Sequence, residues 1–117
     1  MVLGVLQFEL ALPGAVSLKD KRRVVKSLKD RLHRELLVSV AEVAAQDNPT
    51  VAVLGASVVA SEGKRAGEVL DKVLDKLHKM TEAELVANER QILHGVPDED
   101  AWGDGIGADE PYEEEPA

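Results

Sequence analysis

Lys19, Arg22, Lys26 and Lys29 recur at intervals of three and four residues, the spacing that lines side chains along one face of a helix. A fixed row of ammonium and guanidinium groups does one kind of chemistry well. It attracts phosphate and displaces the counterions condensed on a polyanion. The row belongs to residues 17–34, SLKDKRRVVKSLKDRLHR, which hold eight of the fourteen Lys and Arg but only two of the twenty-two acids. In a chain of net charge −8, this segment carries +6, eight cations less two acids. Arg23 and Arg34 extend the row around the surface with Asp30 between them, and His33 continues it. Lys19, Arg22, Arg23, Lys26, Lys29 and Arg34 are therefore the expected nucleic-acid-binding set. RNA is the expected polyanion, met through its backbone and with little sequence selectivity.

Other chemistry finds little support. Cysteine is absent, which excludes disulfides, thiolate metal sites and Cys nucleophiles and fits a reducing compartment. His33, His78 and His94 lack metal-ligand spacing. Glu42 and Asp47 flank a turn as a possible acidic pair, although turn chemistry accounts better for Asp47. No phosphate-cradling or nucleophile-elbow motif is present, and Gly103–Gly107 has no helix after it. No catalytic residue, metal or cofactor is expected, so the protein reads as non-enzymatic. Its aromatics are Phe8, Trp102 and Tyr112 alone, and Phe8 has the spacing of a core residue. Base stacking on a sheet is therefore not the expected mode.

The elements that must position the cationic row follow from periodicity. In Val2–Leu12, Leu6, Phe8, Leu10 and Leu12 share one strand face while Gln7 and Glu9 take the other. Pro13-Gly14 ends that strand, and Ser17 with Asp20 forms a capping box. Leu18, Val25, Leu28, Leu32 and Leu36 then make the apolar stripe of a helix, with Lys21 snorkelling near its edge. Leu37–Ala45 and Thr50–Ala60 read as a hairpin joined by Gln46-Asp47-Asn48-Pro49. A second helix opens at Ser61-Glu62-Gly63 and runs to about Met80. Ala66, Leu70, Val73, Leu74 and Leu77 form its core face, with Glu68/Lys72 and Asp75/Lys79 pairs outside. Glu84–Leu93 is the last strand. This order predicts an α+β, ferredoxin-like βαββαβ domain: a four-stranded antiparallel sheet, first and third strands central, with both helices on one face.

Residues 1–95 are expected to form that single domain and residues 96–117 an acidic, disordered tail. Asp98–Ala117 holds nine acids and no Lys or Arg, which leaves fourteen cations against thirteen acids, +1, in residues 1–97. Val51–Ala60, the longest apolar run, falls well short of the ~20 residues of a spanning helix. No signal-peptide pattern opens the chain. A cytoplasmic protein without membrane attachment is expected.

The run Ser17–Arg31, the stretch Val38-Ser39-Val40-Ala41-Glu42-Val43, then Gln46-Asp47 and Ala52-Val53-Leu54-Gly55 resemble the YlxP-like family of small bacterial proteins. The resemblance covers about residues 1–93. It implies a ferredoxin-like fold and, from the translation genes that commonly neighbour family members, a link to ribosome maturation or translation. The implied partner is RNA or a ribosomal subunit. It brings no catalytic residues with it. Asn48-Pro49-Thr50 departs from the family pattern, which usually has an aromatic and a polar residue there, and Ala44 stands where an acid is common.

Two further expectations concern surfaces. The acidic tail is expected to be solubilising; the alternative is that its carboxylates fold back over the basic helix and compete with a polyanion. The sheet face away from the helices has no covering layer, so Leu3, Val5, Leu54 and Val58 are candidates for an apolar patch serving a homodimer or protein partner.

Overall fold

A computed structural model describes residues 1–95. The first strand, β1 (Val2–Ala11), pairs antiparallel with both β3 (Val51–Ala60) and β4 (Glu84–His94). The second strand, β2 (Ser39–Ala44), pairs with β3, giving the order β2-β3-β1-β4. Helices α1 (Leu18–Leu36) and α2 (Gly63–His78) complete the βαββαβ sequence. This is the ferredoxin-like arrangement, with β1 and β3 central as expected.

Strand alternation decides which face the helices cover. Leu6, Phe8 and Leu10 on β1 and Ala52, Leu54 and Ala56 on β3 are buried on one side. Against them pack Val24, Val25, Leu28 and Leu32 of α1 and Ala66, Val69, Leu70, Val73 and Leu77 of α2. Full burial of each such Leu stabilises the fold by roughly 1.5–3 kcal/mol relative to exposure. Phe8, 1% exposed, is a core residue and not a stacking platform. Gly4 lets α2 approach β1 closely. A Cβ there would meet Val58 Cγ1 at 3.1 Å and Ala66 Cβ at 3.2 Å.

Several expectations need correcting. Leu54 is fully buried and leaves the apolar-patch set, because its even position on β3 points to the helices. Val58 shares that side and is partly buried against the core, while Leu3 and Val5 lie on the open face. Leu37 does not begin β2. It caps α1 in the left-handed region at φ 57°, with its N–H donating to the His33 carbonyl at 2.9 Å. On α2, Glu68 pairs with Arg65 at 3.9 Å, one turn back, in place of the expected Glu68/Lys72 and Asp75/Lys79 pairs. Regular pairing from Ser39 to Glu42 sets Glu42 opposite buried Leu54, on the helix side, and the register shift before Ala44 then leaves Val43 as an extra residue. The expected tail lies outside the described residues.

Candidate nucleic-acid interface

Local chemistry fixes both ends of α1. Ser17 is the N-cap, and its Oγ accepts from the Asp20 N–H at 3.2 Å. Asp20 Oδ2 in turn accepts from the Val16 N–H at 3.0 Å, one residue earlier than a standard capping box. At the other end His33 Nδ1 lies 3.2 Å from the Val38 carbonyl oxygen, a contact that needs the proton on Nδ1. His33 thus ties the helix end to the start of β2 and does not simply extend the cationic row.

Lys21 is not a snorkelling residue. It is 1% exposed, and its Nζ donates to the carbonyls of Ala45 at 2.6 Å and Asn48 at 2.8 Å. The Gln46 carbonyl stands farther off at 3.4 Å, and Glu42 Oε2 lies 2.7 Å away. Four oxygens thus surround one buried ammonium, which pins the β2–β3 turn to the first turns of α1. Ala45 is left-handed at φ 55° within this turn, and its carbonyl also accepts from the Asn48 N–H at 3.0 Å. Glu42 therefore pairs with Lys21 and not with Asp47.

The remaining cations of α1 divide by flank. One residue every 100° sets Arg23 and Arg31 toward α2 and Arg22 and Lys29 toward the opposite edge. The α2-side cations meet acids: Arg23 lies 3.2 Å from Glu82, and Arg31 lies 3.9 Å from Glu35. Glu35 also bridges to Lys76 of α2. The Lys76 hydrogen bond, more than its charge, holds the Glu35 carboxyl below its ordinary value. Lys26, a member of the expected row, pairs with Asp30 at 2.9 Å. That bond and the Lys26 charge lower the Asp30 pKa, with smaller pulls from Lys29 and Arg34.

Among the described residues, Lys19, Arg22, Lys29 and Arg34 have no carboxylate oxygen within 4.0 Å. Lys19, Arg22 and Arg34 are exposed and Lys29 is half-buried. The structure thus brings Lys19, Arg22, Lys26 and Lys29 into one row, with Lys26 partly neutralised. Arg23 is turned toward the α2–β4 connection, and Arg34 stands apart near the C-terminal end. Reading the row without the tertiary fold missed the Lys21 cage. The available signal was the placement of Lys21 one turn before Val24 and Val25 and two turns before Leu28, inside the apolar stripe.

Among the described residues, no group of three or more His, Asp or Glu could hold a metal ion, and no helix is long and apolar enough to cross a membrane. The chain is similar to LFR1 1, a de novo designed protein with ferredoxin fold solved by solution NMR. The two are 14% identical, with a TM-score of 0.48, over 98% of this chain and 96% of that one. No curated protein matches the chain. A family model described as a protein of unknown function (DUF503) matches residues 3–90, and the chain belongs to that family.

Proposed function

We propose that this protein is a non-enzymatic, cytoplasmic RNA-binding accessory factor that contacts phosphate backbone through the outer flank of α1. The observation that carries this reading is the segregation of charge on one helix. Cations of α1 facing α2 are matched with carboxylates, whereas among the described residues Lys19, Arg22 and Lys29 have none within 4.0 Å. Among the described residues, an extended phosphate backbone meeting Lys19, Arg22 and Lys29 has no ion pair to displace first. Phe8 is buried and no other aromatic lies within residues 1–95, which favours backbone contact over base stacking. Within the family, we place the chain with the YlxP-like proteins on Ser17–Arg31 and residues 38–55. That placement is the basis for a ribosomal subunit, or RNA of the translation apparatus, as partner.

The test is charge reversal of Lys19, Arg22, Lys29 and Arg34 together, read by RNA-binding titrations at several salt concentrations. Binding should weaken across unrelated RNA sequences. The slope of log affinity against log salt should shrink by about 0.7–0.9 for each lost phosphate contact. A wild-type affinity indifferent to salt overturns the proposal.

One observation favours a second reading, a homodimer through the open sheet face. Leu3 sits between Val59 and Leu93 in register, and these two neighbours are 64% and 39% exposed. Sedimentation of wild type and Val59→Lys decides it, since self-association should be lost in the variant. A wild type that is monomeric at high concentration rejects the dimer.

A further inference from the structure

We propose that the cleft between α1 and the α2–β4 connection binds a phosphate monoester group, at a site separate from the outer flank of α1. Arg23, Ser27 and Arg31 line it from α1, and Lys79, Thr81 and Glu82 from the other wall. Val24, Leu28 and Met80 form its apolar lining.

The charge of this cleft sets it apart. Three cations, Arg23, Arg31 and Lys79, face one carboxylate, Glu82, for a net of +2. The adjoining cleft at the β1–α1 loop has Asp20 and Glu82 against Arg23, a net of −1. The cleft on the open sheet face has Glu9 and Glu89 and no cation. A phosphate monoester carries about −1.5 to −2 at neutral pH, which matches the first cleft and neither of the others.

The cations there are available. Among the described residues Lys79 has no acid within 4.0 Å, and Arg31 reaches Glu35 only at 3.9 Å. Arg23 is held by Glu82 in a pair whose side chains are 66% and 56% exposed, a contact that water already screens and that a phosphate can replace. Arginines present forked donors suited to phosphate oxygens, and the Ser27 and Thr81 hydroxyls add neutral donors. At about 140 Å³ the cleft is well below the 300–1,000 Å³ usual for a whole small-molecule ligand. It suits a terminal phosphoryl group and not an extended ligand. Such a group could belong to an RNA terminus or to a free mononucleotide.

The experiment is an NMR titration of the full chain with inorganic phosphate, following the Ser27, Arg31 and Thr81 amides. Saturable shifts are expected. Arg31→Gln and Lys79→Gln should each weaken phosphate binding about tenfold, in line with loss of a charge-assisted bond. Glu82→Gln should tighten binding, because it frees Arg23 and removes the repelling carboxylate. The pair Arg22→Gln with Lys29→Gln should leave phosphate binding unchanged while lowering RNA affinity, so the cleft and the outer flank succeed or fail separately. Oligoribonucleotides with and without a 5′-phosphate then separate the sources. Tighter binding of the phosphorylated RNA identifies an RNA end, and equal binding with phosphate still saturating identifies a free phosphate ester. Absence of saturable shifts with inorganic phosphate, or shifts indifferent to Arg31→Gln and Lys79→Gln, overturns the proposal.

Discussion

Lys21 and Arg22 are neighbours on one helix, and their cationic groups meet opposite fates. The Lys21 ammonium is withdrawn from water and surrounded by three carbonyls and a carboxylate, whereas Arg22 is exposed and, among the described residues, has no carboxylate within 4.0 Å. Desolvating a charge costs several kcal/mol unless nearly every donor finds an acceptor, so a buried ammonium becomes structural. A cation left in water keeps its hydration and its freedom to exchange counterions. Such a group adds little to stability and stays available to a polyanion. The same helix therefore separates a folding role from a proposed binding role by a rotation of one residue.

The sharpest way to break this comparison is Lys21→Met. It leaves Glu42 and three turn carbonyls facing a methyl thioether. Loss of about 3–5 kcal/mol in urea unfolding is expected, the range for stranding one partner of a buried ion pair. Glu42→Gln keeps the carbonyl contacts and should cost less, about 1–2 kcal/mol. If Lys21→Met were nearly neutral, the cage would not hold the turn.

Arg22→Gln with Lys29→Gln should show the reverse pattern. Unfolding free energy should stay within about 0.5 kcal/mol of wild type. RNA affinity should fall about tenfold, a difference of 1.4 kcal/mol. With RNA that carries no terminal phosphate, an equal loss from Arg23→Gln with Arg31→Gln would erase the distinction between the flanks.

Leu37→Gly probes the helix end. Leu37 is left-handed and 77% exposed, so glycine removes strain and little packing. A gain of about 0.5–1 kcal/mol is expected by chemical denaturation.

The smallest effect belongs to the α2 side. The folded-state pKa of Glu35 is depressed, chiefly by the Lys76 hydrogen bond. Its contribution is therefore present above the unfolded glutamate pKa and is lost as pH falls through the folded value. Glu35→Gln should flatten the acid limb of stability between those two values and leave neutral-pH RNA binding unchanged. A stability curve parallel to wild type throughout that interval would remove Glu35 from the account.

Periodicity in the chain by itself determined the element order and the core. Leu6, Phe8 and Leu10 on one strand parity, and Val25, Leu28 and Leu32 at helical spacing, leave few other ways to bury apolar surface. It also determined that α1 would be cationic, because composition is local. What only the tertiary structure decided was which cations are free. Arg23 depends on Glu82 and Lys21 on Glu42 and the turn carbonyls, partners 59 and 21 or more residues away. Lys26 was the exception that the sequence could have settled, since Asp30 lies one turn on. Spacing along one helix locates a charge to within a face. Its neutralisation depends on distances of a few ångströms across elements, and those exist only once the helices have packed on the sheet.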